Sequence, residues 1–165
     1  SMTIGIDEPD VMEQKVREAT DYPILKIKVG PPRDDEILNM IRRLAPKKTV
    51  RVDANCGWTC ENVLERCRSL RQHNIELIEQ PTPAGVHECL PRVREERIAP
   101  IIADESCVGY KDVLNCAGAF DGINIKLSKC GGIRRAVQMI HTARSAGMQV
   151  MLGVVVQRNA LGLAP

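Results

Sequence analysis

Charged residues close a series of short β-prone segments at a nearly constant interval. Five consecutive segments end at Lys28, Asp53, Glu79, Asp104 and Lys126, so that neighbouring ends lie 25, 26, 25 and 22 residues apart. An interval of about 25 residues accommodates one strand, one loop and one helix. Strands and helices that alternate in this way indicate βα units and a parallel sheet.

The segments themselves support this interpretation. The β-prone runs are short and in several cases apolar on both faces, as in parallel strands covered by helices, and they occupy residues 3–7, 25–29, 49–53, 75–79, 101–104, 122–127 and 149–156. Apolar residues at helical spacing lie between them, in residues 8–19, 34–44, 61–71 and 133–145. We therefore predict an α/β fold in which residues 1–165 form one incomplete (β/α)-barrel domain of about seven βα units. No Gly-x-Gly-x-x-Gly motif follows the first strand, which argues against a doubly wound nucleotide-binding domain.

The composition excludes several classes of protein. Lys and Arg number 23 against 21 Asp and Glu, a balance that does not suit a protein binding nucleic acid through a basic surface. The few aromatic residues also argue against base stacking, and a hydrophobic content of 44% excludes a disordered chain. No apolar run approaches the roughly 18 residues of a membrane span, and no secretory signal opens the chain. We therefore expect a cytoplasmic protein with neither nucleic-acid nor membrane partners.

The seven cysteines form no metal-binding motif. None is paired as Cys-x-x-Cys, and no Cys/His cluster has zinc-finger spacing. We expect reduced thiols, because disulfides are rare in the cytosol. Cys56 and Cys60, four residues apart, could share a helix face and bind zinc, but a role as small buried apolar residues explains them equally well.

The charged ends of the predicted strands indicate a catalytic site. Active sites of (β/α)-barrels are built at the carboxyl ends of the strands. Three carboxylates there, Asp53, Glu79 and Asp104, would converge and repel one another. A divalent cation removes this repulsion, and oxygen ligands favour Mg²⁺. A lysine beside such a cation has a lowered pKa and can act as a base.

Each motif taken alone has a plainer structural interpretation. Lys26 and Lys28 fit the solvated face of an amphipathic strand, because alternate side chains point to the same side. Asp53 and Asn55 fit an Asx turn, and residues 103–106 fit the start of a helix. The occurrence of all these motifs at matching positions of one repeat favours a joint site.

The motifs LKIKVG, RVDANCGW, IEQP, ADES and INIKLSKCGG resemble those of the enolase superfamily. The resemblance extends from about Ile4 to Gly153 and is strongest to the dipeptide epimerases of the muconate-cycloisomerase-like subgroup. It implies that Asp53, Glu79 and Asp104 are Mg²⁺ ligands, with Mn²⁺ as a possible substitute. It also implies that Lys28 and Lys126 are the two acid/base residues on opposite faces of the substrate.

The remaining implied roles concern residues beside these. Lys26 matches the electrostatic partner of Lys28, whereas Asn55 and Glu105 match supporting positions beside the ligands. Lys126 matches the second acid/base position better than Lys129, which lies one turn further on. The implied reaction removes the proton next to the carboxylate of a small substrate, most simply a dipeptide, through an enediolate. Cycloisomerase and o-succinylbenzoate synthase activities of the same subgroup, or an inactive module serving in assembly, remain alternatives.

The sequence also departs from the family pattern. The N-terminal capping domain and the eighth barrel strand have no counterpart here, Gln157 stands where relatives often carry Glu, and Ser1-Met2 resembles a cloning scar. An incomplete barrel exposes strand edges near Ile4 and residues 150–156, which predicts a homo-oligomer, most simply a two-fold dimer. The alternative is a monomer in which residues 157–165 fold back over the gap.

Overall fold

Seven parallel strands form a single curled sheet in the computed structural model, which describes residues 1–30 and 33–154. The spatial order of the strands follows their order along the chain: β1 (Met2–Ile4), β2 (Ile24–Lys28), β3 (Thr49–Asp53), β4 (Ile78–Glu79), β5 (Ile101–Ala103), β6 (Gly122–Lys126) and β7 (Gln149–Gly153). This order is that of an open (β/α)-barrel rather than a doubly wound sheet. The predicted fold class and the seven strands are confirmed.

The α-helices of the described residues connect successive strands. They are α1 (Pro9–Glu18), α2 (Asp34–Leu44), α3 (Val63–Leu70), α4 (Leu90–Glu95), α5 (Asp112–Cys116) and α6 (Ile133–Ser145). The predicted bounds of α2 and α6 are confirmed to the residue. The sequence reasoning missed α4 and α5 because helices of six and five residues are too short to display a helical period.

Alternation along the strands separates the core from the concave side of the sheet. In β2 the buried Leu25 and Ile27 alternate with the half-buried Lys26 and Lys28. The apolar side chains pack under the helices, so the polar ones on β2 point to the concave side. The core between sheet and helices includes the fully buried side chains of Trp58, Phe120, Met12, Leu38 and Leu90. This arrangement leaves the concave side free to carry polar groups.

The open side of the sheet is bordered by β1 and β7. Within the described residues, Leu152 and Val154, at the end of β7, are 64% and 87% exposed. Val155, Val156 and Gln157 lie outside the described residues, and so does the alternative in which residues 157–165 fold back. None of the described helices has the length and apolarity needed to span a bilayer.

The expectation that the cysteines are reduced is wrong for one pair. Cys60 and Cys89 form a disulfide with a Cα–Cα distance of 5.4 Å. Cys60 lies in the loop after β3 and Cys89 in the loop after β4, so the bond joins two loops at the carboxyl ends of the strands. Neither Cys56 nor Cys60 is on a helix, which removes the basis for the alternative of a shared zinc-binding face. Disulfides are rare in a reducing cytosol. The Cys60–Cys89 bond and the expected cytoplasmic location therefore do not agree.

Replacing both bonded cysteines by serine is expected to destabilise the protein by about 3 kcal/mol, because the bond closes a loop of 29 residues in the unfolded chain. Urea unfolding of the Cys60→Ser/Cys89→Ser variant measures this loss. A thiol reductant should lower the wild-type stability to that of the variant and leave the variant unaffected. Equal stabilities of variant and oxidised wild type would contradict the bond.

Candidate active site at the carboxyl ends of the strands

The register of the sheet brings the predicted site residues to one end of the barrel. Lys28 is paired with Asp53, and Asp53 with Glu79, across β2, β3 and β4. Asp104 directly follows β5, and Lys126 ends β6. An open cleft of about 1130 Å³ includes in its lining Lys26, Lys28, Asp53, Asn55, Asp104 and Lys126. Glu79 is 0% exposed, beneath the solvent-accessible lining.

Lys26 separates two buried carboxylates. Its Nζ lies 2.8 Å from Asp53 Oδ2 and 2.7 Å from Glu79 Oε2. Without an intervening cation, two carboxylates this close together would repel each other. The predicted electrostatic role of Lys26 therefore has a geometric basis.

Burial and the neighbouring charges shift the pKa values of Lys26 and Glu79 in opposite directions. Burial raises the pKa of the Glu79 carboxyl, and the neighbouring Lys26 ammonium only partly offsets the effect. Burial lowers the pKa of Lys26, but the Glu79 and Asp53 carboxylates outweigh it, so the net pKa of Lys26 is raised. Lys26 consequently stays protonated at neutral pH, which suits a fixed positive charge better than a base.

Asp104 is bound by the lysine of the next strand. Lys126 Nζ forms an ion pair with Asp104 Oδ2, whereas Lys129 Nζ lies 4.0 Å from Asp104 Oδ1. Lys126 is largely enclosed in the cleft and Lys129 is more exposed. The geometry thus supports the assignment of Lys126 rather than Lys129 to the site.

Asn55 connects β2 and β3 at the mouth of the cleft. Its Oδ1 accepts a hydrogen bond of 2.6 Å from Lys28 Nζ, and its main-chain N–H donates to Asp53 Oδ1 at 3.0 Å. The second bond is the Asx-type turn that the plainer interpretation predicted. The structural and functional interpretations of Asn55 are therefore compatible.

Glu105 lies near the Cys56 thiol as well as beside Asp104 in the chain. Burial raises the pKa of the Cys56 thiol, and the charges of Glu105 and Asp104 raise it further. In the part of the chain that the structure describes, Glu105 Oε2 is buried without a hydrogen-bond partner. A supporting role for Glu105 beside the acidic residues stays a prediction.

Asn124 is a site residue that the sequence reasoning missed. Its Nδ2 donates a hydrogen bond of 2.8 Å to Glu79 Oε1, and a Cβ at Gly153 would come within 2.6 Å of its Oδ1. The buried amide therefore needs the glycine on β7 for space. The available signal was a polar residue inside the otherwise apolar β6, two positions before Lys126 and so on the same face.

The donor set fits a divalent cation in its chemistry. Within residues 1–30 and 33–154, no three His, Cys, Asp or Glu side chains are grouped closely enough to hold a metal ion as they stand. The lysine ammonium groups instead neutralise the three carboxylates, Lys26 between Asp53 and Glu79 and Lys126 at Asp104. Glu79 Oε2 is buried, and its partner is the Lys26 ammonium at 2.7 Å. Carboxylate oxygens on adjacent strands are the type of ligand that Mg²⁺ prefers.

The proteins that this chain resembles in sequence and fold include epimerases. The chain is 42% identical over 164 residues to an L-Ala-D/L-amino acid epimerase of Pedosphaera parvula, covering 98% of this chain and 47% of the relative. It resembles the crystal structure of a dipeptide epimerase from Enterococcus faecalis with a TM-score of 0.88 and 38% identity, covering 94% of this chain and 47% of that one. The dipeptide epimerase of Cytophaga hutchinsonii, complexed with Mg and the dipeptide D-Ala-L-Val, gives a TM-score of 0.87 at 36% identity, with coverages of 94% and 44%. The chain thus spans about half the length of the relatives it matches.

The family model agrees with the fold and with these relatives. The model described as enolase C-terminal domain-like matches residues 10–165, which is nearly the whole chain. The match includes every residue that the sequence motifs assigned to the site. This protein belongs to the enolase C-terminal domain-like family.

Proposed function

We propose that this chain carries the catalytic machinery of a Mg²⁺-dependent dipeptide epimerase. The observation that carries the proposal is the placement of Lys28 and Lys126 in one cleft, on strands β2 and β6, with the acidic residues of β3, β4 and β5 between them. Two bases separated in this way can reach opposite faces of one carbon atom. Epimerisation requires this arrangement, because a proton must leave one face and return to the other.

Different residues of the chain carry out the proton transfers and the charge stabilisation of the proposed reaction. In the proposed sequence, one of Lys28 and Lys126 removes the proton next to the substrate carboxylate, and the other delivers a proton to the opposite face. Asn55 holds the Lys28 ammonium at 2.6 Å, and Asp104 holds that of Lys126 as an ion pair. The fixed charge of Lys26 stabilises the negative charge that develops on the enediolate oxygens.

Asp53, Glu79 and Asp104 would hold the divalent ion. When bound, Mg²⁺ or Mn²⁺ would stabilise the enediolate as a Lewis acid. For these carboxylates to bind a metal, the ammonium groups of Lys26 and Lys126 must share them with the ion. Two similar proteins are complexed with Mg and a dipeptide, which supports Mg²⁺ as the ion of the proposed site.

Proton exchange at the α-carbon tests the proposal directly. The chain is incubated in D₂O with Mg²⁺ and a panel of dipeptides that includes L-Ala-L-Glu and L-Ala-D-Glu, and the α-proton signal is followed by NMR. We expect Mg²⁺-dependent loss of the signal together with appearance of the other epimer. Exchange without epimerisation would show that only one of the two lysines acts as a base on the dipeptide. No exchange with any dipeptide would favour the inactive assembly module.

We further propose that the chain associates through the edges of its open sheet. Among the described residues, β1 and β7 are the edge strands of the sheet, and Leu152 and Val154 expose apolar surface at β7. We expect light scattering at micromolar concentration to give twice the 18.3 kDa of one chain. Charged substitutions at both apolar positions should return the monomer mass. A wild-type monomer that melts cooperatively would contradict the proposal.

A further inference from the structure

Gln80 links the three strands that carry the acidic residues. It follows Glu79, is fully buried and has a φ of +36°, which is unfavourable for a residue other than glycine. Its main-chain N–H donates to the carbonyl of Ile102 on β5 at 2.9 Å. Its carbonyl accepts a hydrogen bond of 2.9 Å from the N–H of Cys56, in the loop after β3. The main chain of one residue thus connects β4 to both neighbouring strands.

The carboxamide of Gln80 strengthens the link to β5. Its Oε1 accepts hydrogen bonds from the main-chain N–H groups of Asp104, at 2.9 Å, and Ser106, at 3.1 Å. Its Nε2 donates to the carbonyl of Thr82 at 2.8 Å and to Ser106 Oγ at 2.7 Å. Two accepted and two donated bonds satisfy the amide completely. The amide orientation is fixed as well, because the reverse would direct its NH₂ group at two N–H donors.

The hydrogen-bond chain continues to the loop after β4. The N–H of Gly85 donates to His87 Nε2 at 3.3 Å, so this nitrogen is an acceptor. Ser106 Oγ already accepts from Gln80 and therefore donates its own proton to His87 Nε2, at 2.9 Å. The His87 ring packs edge-on against Phe120 with centroids 5.0 Å apart. Asp104 is thereby anchored, through Gln80 and Ser106, to the core.

We propose that Gln80 is the positioning residue that sets Asp104 against Glu79, and with it the metal affinity of the site. The inference rests on the proposed function, since it assigns Asp104 and Glu79 to one metal site. Asp104 follows the last residue of β5, so strand pairing alone does not fix it. Its N–H is bonded to the Gln80 side chain instead. Loss of that bond frees the Asp104 carboxylate to move away from the other two.

The Gln80→Met variant keeps the length of the side chain and removes all four of its hydrogen bonds. We expect the Mg²⁺ dissociation constant, measured by isothermal titration, to rise by about 10- to 100-fold, as for other residues that orient metal ligands. Thr82→Val is the matched control. It removes a partly buried hydrogen bond of 2.6 Å, from Thr82 Oγ1 to the carbonyl of Val86, and keeps the Thr82 carbonyl to which Gln80 donates. We expect this control to lose stability without losing Mg²⁺ affinity.

Ser106→Ala is the second variant for the same Mg²⁺ titration, for use if Gln80→Met does not fold. It removes one of the two acceptors of Gln80 Nε2 and should weaken Mg²⁺ binding near the lower end of the same range. Hydrogen exchange of the Asp104 main-chain amide gives a second readout that needs no metal. This exchange should be faster in Gln80→Met and in Ser106→Ala but not in Thr82→Val. Unchanged affinity in Gln80→Met and Ser106→Ala, or an equal loss in Thr82→Val, would overturn the proposal. A wild-type chain that binds no Mg²⁺ would overturn the proposed function, and amide exchange would then decide whether Gln80 positions Asp104.

Discussion

Replacing Glu79 by glutamine is expected to weaken Mg²⁺ binding by at least about 100-fold, more than the usual loss for a residue outside the ligand set. The substitution removes the charge of the most deeply buried of the three carboxyl groups and keeps its shape. Titration calorimetry with Mg²⁺ and Mn²⁺ measures the loss. Glu76→Gln is the matched control, because Glu76 lies just before the same strand and is paired with Arg51 instead of the site residues.

The fold should tolerate the substitution at position 79. Burial raises the pKa of Glu79, so the folded state binds its proton more tightly than the unfolded state. The ionised carboxylate therefore lowers the stability of the metal-free protein as the pH rises above the unfolded pKa. A glutamine removes this cost, and its NH₂ group can donate to Asn124 Oδ1 if the Asn124 amide turns over. The substitution also removes one of the two carboxylates paired with Lys26, but Asp53 remains and the glutamine carbonyl can still accept from the ammonium group. We therefore expect a melting temperature in EDTA close to that of the wild type.

The metal prediction would be contradicted by a specific pattern. Unchanged Mg²⁺ affinity in Glu79→Gln, Asp53→Asn and Asp104→Asn would show that the three carboxylates are not ligands. A loss in Glu79→Gln accompanied by a lower melting temperature in EDTA would indicate damage to the fold. The comparison in EDTA therefore separates the two explanations.

The positions of the site residues could be predicted from the sequence because the repeat places each of them at the same point of its strand, and the register of the sheet then aligns these points. Lys28, Asp53 and Glu79 are in register in the sheet, as the nearly constant spacing implied. The period of α2 was equally informative, since its eleven residues bury Ile37, Leu38 and Ile41 on one face. Regular local patterns were thus sufficient for the fold and for the common strand-end position of these three residues, but they did not reveal Asn124.

The contacts between loops could not be predicted in this way. The pairing of Cys60 with Cys89 depends on how two irregular loops approach each other, and no periodic pattern records that approach. Gln80 lies next to a predicted ligand, but its partners Asp104 and Ser106 are more than 20 residues away in the sequence. The position of Lys26 between two carboxylates likewise follows from three-dimensional geometry, whereas its sequence motif fits a solvated strand equally well.

Alanine substitution of Lys28 or Lys126 is expected to lower the epimerisation rate by about 10²- to 10⁴-fold, the usual contribution of a general acid or base. Each variant should retain one half of the reaction, because the remaining lysine can still remove a proton from the face that it reaches. In D₂O, one variant should then exchange the α-proton of L-Ala-L-Glu alone, and the other that of L-Ala-D-Glu alone. NMR of each separate epimer with Mg²⁺ measures this selectivity.

The complementary selectivity distinguishes two opposed bases from a single base. If one lysine served both faces, its removal would abolish exchange of both epimers, and removal of the other would leave both exchanging. Lys129→Ala is the control, because Lys129 lies in the loop after β6 and reaches Asp104 only at 4.0 Å. It should exchange and interconvert both epimers. An equal loss of exchange in Lys129→Ala and Lys126→Ala would assign the second base to Lys129, in the turn after β6. The proton would then have to travel further from the cleft.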